Sequence, residues 1–138
     1  MDPENPVVKL CAAGMQAEAE GKPDAARELY RAAWDARTGA YDGCLAAHYL
    51  ARHQSRPEDG LHWNQISLDL AREAGGDLVR GFYSSLYLNL GSSHETLGNR
   101  ELARQSYELA EAHLAAVPEG PYGDVVRRGL AAARARVA

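Results

Sequence analysis

Small apolar residues recur along the chain at helical spacing. Ala26, Tyr30 and Ala33 stand four and three residues apart, as do Ala103, Tyr107 and Ala110, so each set forms one stripe on a helix. No run alternates with a period of two, and β-branched residues are scarce. Pro and Gly gather in short clusters ("GKPD", "SRPEDG", "AGGD", "PEGPYG") that punctuate the helices. The pattern predicts an all-α protein.

Two glycines precede each stripe, and they do so identically. Gly14, Gly21, Ala26, Tyr30 and Ala33 are separated by seven, five, four and three residues; so are Gly91, Gly98, Ala103, Tyr107 and Ala110. On two antiparallel helices these positions have distinct tasks. Gly91 lies within the first helix, where a missing side chain lets the second approach. Gly98 ends that helix, where a left-handed cap favours glycine. Asn99 is placed to cap the next helix. The alanines are expected to be the close-contact points, with the tyrosine filling the gap beside them. Gly14 to Ala33 repeats every role.

The order small residue, turn glycine, alanine, aromatic, alanine resembles the tetratricopeptide repeat, a helix–turn–helix unit of about 34 residues. Tyr87 and Leu90, or Leu10 and Ala13 in the first copy, match the larger apolar positions early in its first helix. Pro118 follows the last copy somewhat late for the family's closing proline. The two good copies lie 77 residues apart, so a middle copy fits with about nine extra residues. "YDGCLAAHYLARHQ" supplies its first helix, with Ala47 in the small position. "EDGLHWNQISLDLAREA" supplies the second, with Asn64, Leu68 and Ala71 on the stripe. The turn between them is enlarged as "SRPEDG", in which Ser55 and Glu58 have capping-box spacing. A long helix is expected from Asp77 to about Leu97.

The resemblance implies a right-handed superhelical array in residues 1–138. Its repeats fall at about 7–38, 40–76 and 84–117, with a C-terminal capping helix at about 122–137. Val126, Leu130, Ala133 and Val137 form that helix's apolar stripe, while Arg127, Arg128, Arg134 and Arg136 fall elsewhere. Stacked repeats need such a terminal cover.

Charge and composition narrow the function. A net charge of −4 argues against a nucleic-acid binder, and no stretch approaches a membrane span. The opening "MDPENPVVKL" lacks a leader's basic and apolar regions, and two cysteines make no disulfide scaffold. The chain reads as cytoplasmic, with reduced thiols. No phosphate loop or nucleophile elbow occurs, and "HETLG" has Gly98 where a zinc helix needs its second histidine. No cofactor and no metal are expected.

In the tetratricopeptide family the first helices line a concave groove. By register that face carries Val8, Cys11, Met15 and Glu18 in the first copy, Tyr41, Cys44, His48 and Arg52 in the second, and Ser85, Asn89, Ser92 and Glu95 in the third. The resemblance implies a scaffold holding a protein or peptide partner, a partner helix or a second copy of itself. The family's clamp for a C-terminal carboxylate is not matched: Cys11, Met15, Leu45 and Ser85 stand near its positions, and only Asn89 has suitable chemistry. The alternative is a small enzyme or metal or ligand site around Cys11, Cys44 and His48, with Glu95 as a carboxylate. His62 and Trp63 are expected to cover the insertion, and "RGFYSSLYLNLGSS" to form a buried helix.

Overall fold

A computed structural model describes residues 3–138. It is all-helical, with eight α-helices and no strand among the described residues. The chain divides into two compact units, Met1–Ala74 and Gly75–Ala138.

In the first unit α1 (Pro6–Ala19) pairs with α2 (Pro23–Asp35), and α3 (Ala40–Leu50) pairs with α4 (Pro57–Ala74). α3 also packs on α1 and α2. Local chemistry starts α1: the Asn5 side chain accepts a hydrogen bond from the Val7 amide at 2.8 Å, and Pro6 has no amide proton to satisfy. Gly21, at φ 74°, turns the chain into α2, a conformation that costs other residues more. Val7, Cys11, Ala26, Tyr30, Ala33, Ala46 and Leu50 form one core. In the middle pair Ala47, Asn64, Leu68 and Ala71 are all buried.

The extra residues of that pair sit differently from the expectation. "SRPEDG" is not an open turn, because α4 already begins at Pro57 and runs for 18 residues, against 13 in α2 and in α7 (Arg100–Ala112). Pro57 suits the first helical position, and Glu58 and Asp59 complement the helix N-terminus. A short 3₁₀ turn, Ala51–His53, takes up the rest.

The second unit contains α5 (Asp77–Arg80), α6 (Tyr83–Thr96), α7, a 3₁₀ turn at Leu114–Ala116, and α8 (Pro121–Val137). α6 pairs with α7, and α8 packs on both. The single helix expected from Asp77 to Leu97 is broken at Gly81 and Phe82. Val79 is buried there, and the Phe82 amide turns back to its carbonyl at 2.9 Å. Asn99 flanks α7 as expected, but its side chain caps nothing. Val126, Leu130, Ala133 and Val137 are all buried. The α8 C-terminus is clipped by Arg104, which donates to the Val137 carbonyl at 2.9 Å, and by Arg100, which donates to that of Ala138 at 2.7 Å. Both guanidiniums lie where the helix dipole favours a cation.

No described helix is long and apolar enough to cross a membrane.

Candidate functional site

The first helices carry the candidate residues, and the structure organises them around two carboxylates. Glu18 lies one turn after Gly14 on α1. It accepts hydrogen bonds from the Tyr30 hydroxyl of α2 and from the guanidinium of Arg52, just beyond α3. His53 Nε2 stands 3.5 Å from the same carboxylate. Glu95 lies one turn after Gly91 on α6 and repeats the arrangement. The Tyr107 hydroxyl donates to it at 2.6 Å, and Arg136 of α8 donates at 2.9 and 3.2 Å.

Close approach makes this geometry. A Cβ on Gly14 would stand 2.3 Å from the Tyr30 ring, and one on Gly91 would stand 2.5 Å from the Tyr107 ring. Each tyrosine therefore lies flat across its glycine, fully buried, with only the hydroxyl reaching the carboxylate beyond. The tyrosine, rather than the flanking alanines, makes the tight contact.

Electrostatics follow from the partners. Burial works against the Glu18 charge, but hydrogen bonds from Tyr30 and Arg52 prevail and hold its pKa below the usual carboxylate range. Hydrogen bonds from Arg136 and Tyr107 lower that of Glu95. Burial and the Glu95 hydrogen bond push Tyr107 up to about 12, and Tyr30 also rises for matching reasons. Both tyrosines stay protonated and donate. Stacking surrounds the first carboxylate: Tyr49 lies parallel to Tyr30 with ring centroids 5.1 Å apart, and Arg52 covers Tyr49 at 5.4 Å.

Six of the nine groove residues belong to the first unit and three to the second. Met15 and Ser92 are exposed; Tyr41, His48 and Asn89 are half-buried. Glu18, Arg52 and Glu95 serve the carboxylate clusters just described. Cys44 is 1% exposed, and its sulfur faces the Ser67 hydroxyl of α4 at 3.5 Å. That hydroxyl donates to the Cys44 carbonyl at 2.9 Å, and Ser84 of α6 likewise donates to the Ala110 carbonyl of α7.

The sulfur chemistry is quiet. Both thiols are free and buried. Burial, with Asp42 nearby, pushes Cys11 up to about 12, and burial also raises Cys44. Burial and the charge of Arg52 push His48 down to about 4, so it is neutral near pH 7. Among the described residues no three His, Cys, Asp or Glu side chains are grouped to hold a metal. Buried thiols of raised pKa are weak nucleophiles.

Sequence reasoning placed Glu18 and Glu95 at matching positions and Tyr30 and Tyr107 in the gaps, but missed the hydrogen bonds that join them. The signal was present: each glutamate stands four residues after its glycine and twelve before its tyrosine. It also missed an aromatic cluster on the first unit. Trp34 and Trp63 meet edge to face with centroids 4.9 Å apart, and the Arg37 guanidinium lies 3.8 Å over the Trp34 ring. Trp63 thus packs against α2.

The fold and these clusters define an all-helical protein of packed helix hairpins that twice uses one Gly–Glu–Tyr–Arg unit. Comparison with protein-family models, curated proteins and solved structures finds no match to the chain.

Proposed function

We propose that the chain is a protein-interaction scaffold of the tetratricopeptide type, in which the first helix of each hairpin presents side chains to a peptide or partner helix. One observation carries the reading: the Gly–Glu–Tyr–Arg unit occurs in two hairpins with the same glycine, glutamate and tyrosine spacing. Repetition of a whole packing device, rather than of one catalytic residue, is the mark of a repeat architecture. The superhelical arrangement and its cytoplasmic setting are part of this proposal. The state of the thiols also favours binding over thiol chemistry.

The test is affinity capture from the native host, quantified by mass spectrometry. Met15→Glu and Ser92→Arg change exposed first-helix positions and should lower capture of a defined protein without altering helicity. A chain with Cys11→Ala and Cys44→Ala should capture it normally. If that folded double variant loses capture or an activity while Met15→Glu and Ser92→Arg do not, the site lies at the thiols and the scaffold reading fails.

A further inference from the structure

A cleft of about 610 Å³ opens between the α2–α3 turn and the C-terminal half of α4. Trp34, Ile66 and Leu70 give it an apolar floor, and all three are half-buried. Gly43 of α3 lies against that floor. A Cβ there would stand 2.8 Å from Leu70, 3.4 Å from the Arg37 side chain and 3.6 Å from Trp34. These three residues therefore converge over the missing side chain. The volume is that of a site for a small organic ligand.

Charge of both signs lines the cleft. Arg37 comes from the α2–α3 turn, and Asp69 and Glu73 come from α4. The Arg37 guanidinium lies 3.8 Å over the Trp34 ring, and its Nη1 donates to the Trp34 carbonyl at 2.8 Å. These contacts hold the group in place and leave most of its five donor hydrogens available. Asp69 accepts from Gln65 at 2.9 Å and has Arg72 at 3.9 Å, so it is partly neutralised. Among the described residues neither Arg37 nor Glu73 makes an ion pair, with each other or with any third group. The cleft is close to neutral as a whole, yet it holds two opposite charges that do not cancel locally.

Such a cleft selects neither a cation nor an anion. Two separated charges over an apolar floor suit a molecule that carries both. We infer that the cleft binds a short zwitterionic peptide with apolar side chains. Its carboxylate meets Arg37, its ammonium meets Glu73, and its side chains lie on Trp34, Ile66 and Leu70. None of the first-helix positions of the preceding reading lines this cleft, so failure here leaves that reading standing.

Nuclear magnetic resonance of the full chain, read at the Trp34 indole, tests it with the dipeptide leucyl-leucine as probe. The signal should shift saturably at millimolar concentration. Acetylating the probe's ammonium or amidating its carboxylate should each weaken binding about 5-fold, the upper end for an exposed ion pair. Diglycine keeps both charges without the apolar side chains and should bind more weakly still. Glu73→Gln should weaken binding of leucyl-leucine but not of the acetylated probe. Arg37→Gln should stand in the same relation to the amidated one, as coupled pairs do. Thermal melts identify any variant that fails to fold, and the probe series decides without a substitution. Absence of a saturable shift at Trp34 overturns the inference. So does binding that ignores acetylation and amidation alike.

Discussion

The ring of Tyr107 occupies the space that a Cβ on residue 91 would need, with Cε1 2.5 Å and Cδ1 2.7 Å from it. Tyr107 is buried and its hydroxyl is tied to Glu95, so the ring has no free direction in which to move. Gly91→Ala should therefore destabilise by about 1–3 kcal/mol and Gly91→Leu by more, as overpacked cores do. Gln105→Leu, on the exposed side of α7, should change little. Arg104 would be a poor control because it holds the α8 terminus. Denaturant melts that rank the three variants equal would remove the close contact from the account.

Acid should loosen both carboxylate clusters. Glu18 and Glu95 have depressed pKa values in the folded chain. Their contribution is therefore complete above the unfolded value of about 4.3 and is lost as pH falls through the folded one. Tyr30→Phe and Tyr107→Phe each remove a hydrogen bond to the carboxylate. Each should cost about 1 kcal/mol at pH 7, partial exposure of the glutamates keeping the figure modest. The loss relative to wild type should shrink as pH falls through the depressed folded values, where the partner becomes protonated. Chemical melts between neutral and acid pH read this directly. A constant difference across the range would show that the hydroxyls do not act through the glutamates.

Thiol labelling at neutral pH should be slow and incomplete until denaturant is added. Cys11, raised to about 12, and Cys44, raised by burial, are both protonated and covered. A reagent reacts with the thiolate, so raising pH toward 9 should accelerate labelling only as far as opening of the fold permits. One thiol reacting fully within seconds in the native chain would return Cys44 and His48 to consideration as a reactive pair.

The helices were largely legible because the glycine and alanine spacings encode contacts within a hairpin. Gly14, Gly21, Gly91 and Gly98 each hold the place that their spacing implied. Side-chain direction was not legible. Whether Glu18 faces a groove or the Tyr30 hydroxyl depends on how α2 rotates against α1, which no spacing within α1 records. Arg52 and Arg136 lie 34 and 41 residues beyond their glutamates, so they share no common offset. The break after α5 was hidden for another reason. Gly81 there has ordinary helical angles, with φ −75°, and an apolar run surrounds it. The cleft on the first unit draws on α2, the following turn and α4, segments whose meeting is a matter of tertiary packing.

The Gly–Glu–Tyr–Arg unit constrains how such a chain can change length. Glycine, glutamate and tyrosine travel together inside one hairpin, but the arginine that completes them belongs to an element further along: the 3₁₀ turn after α3 for Glu18, and α8 for Glu95. Deleting a hairpin therefore leaves its predecessor's carboxylate facing a tyrosine with no cation behind it. Duplicating one brings a second glutamate that needs its own arginine from whatever follows. A descendant of this chain that gains or loses a repeat must restore that arginine at the new junction, or give up the glutamate with it.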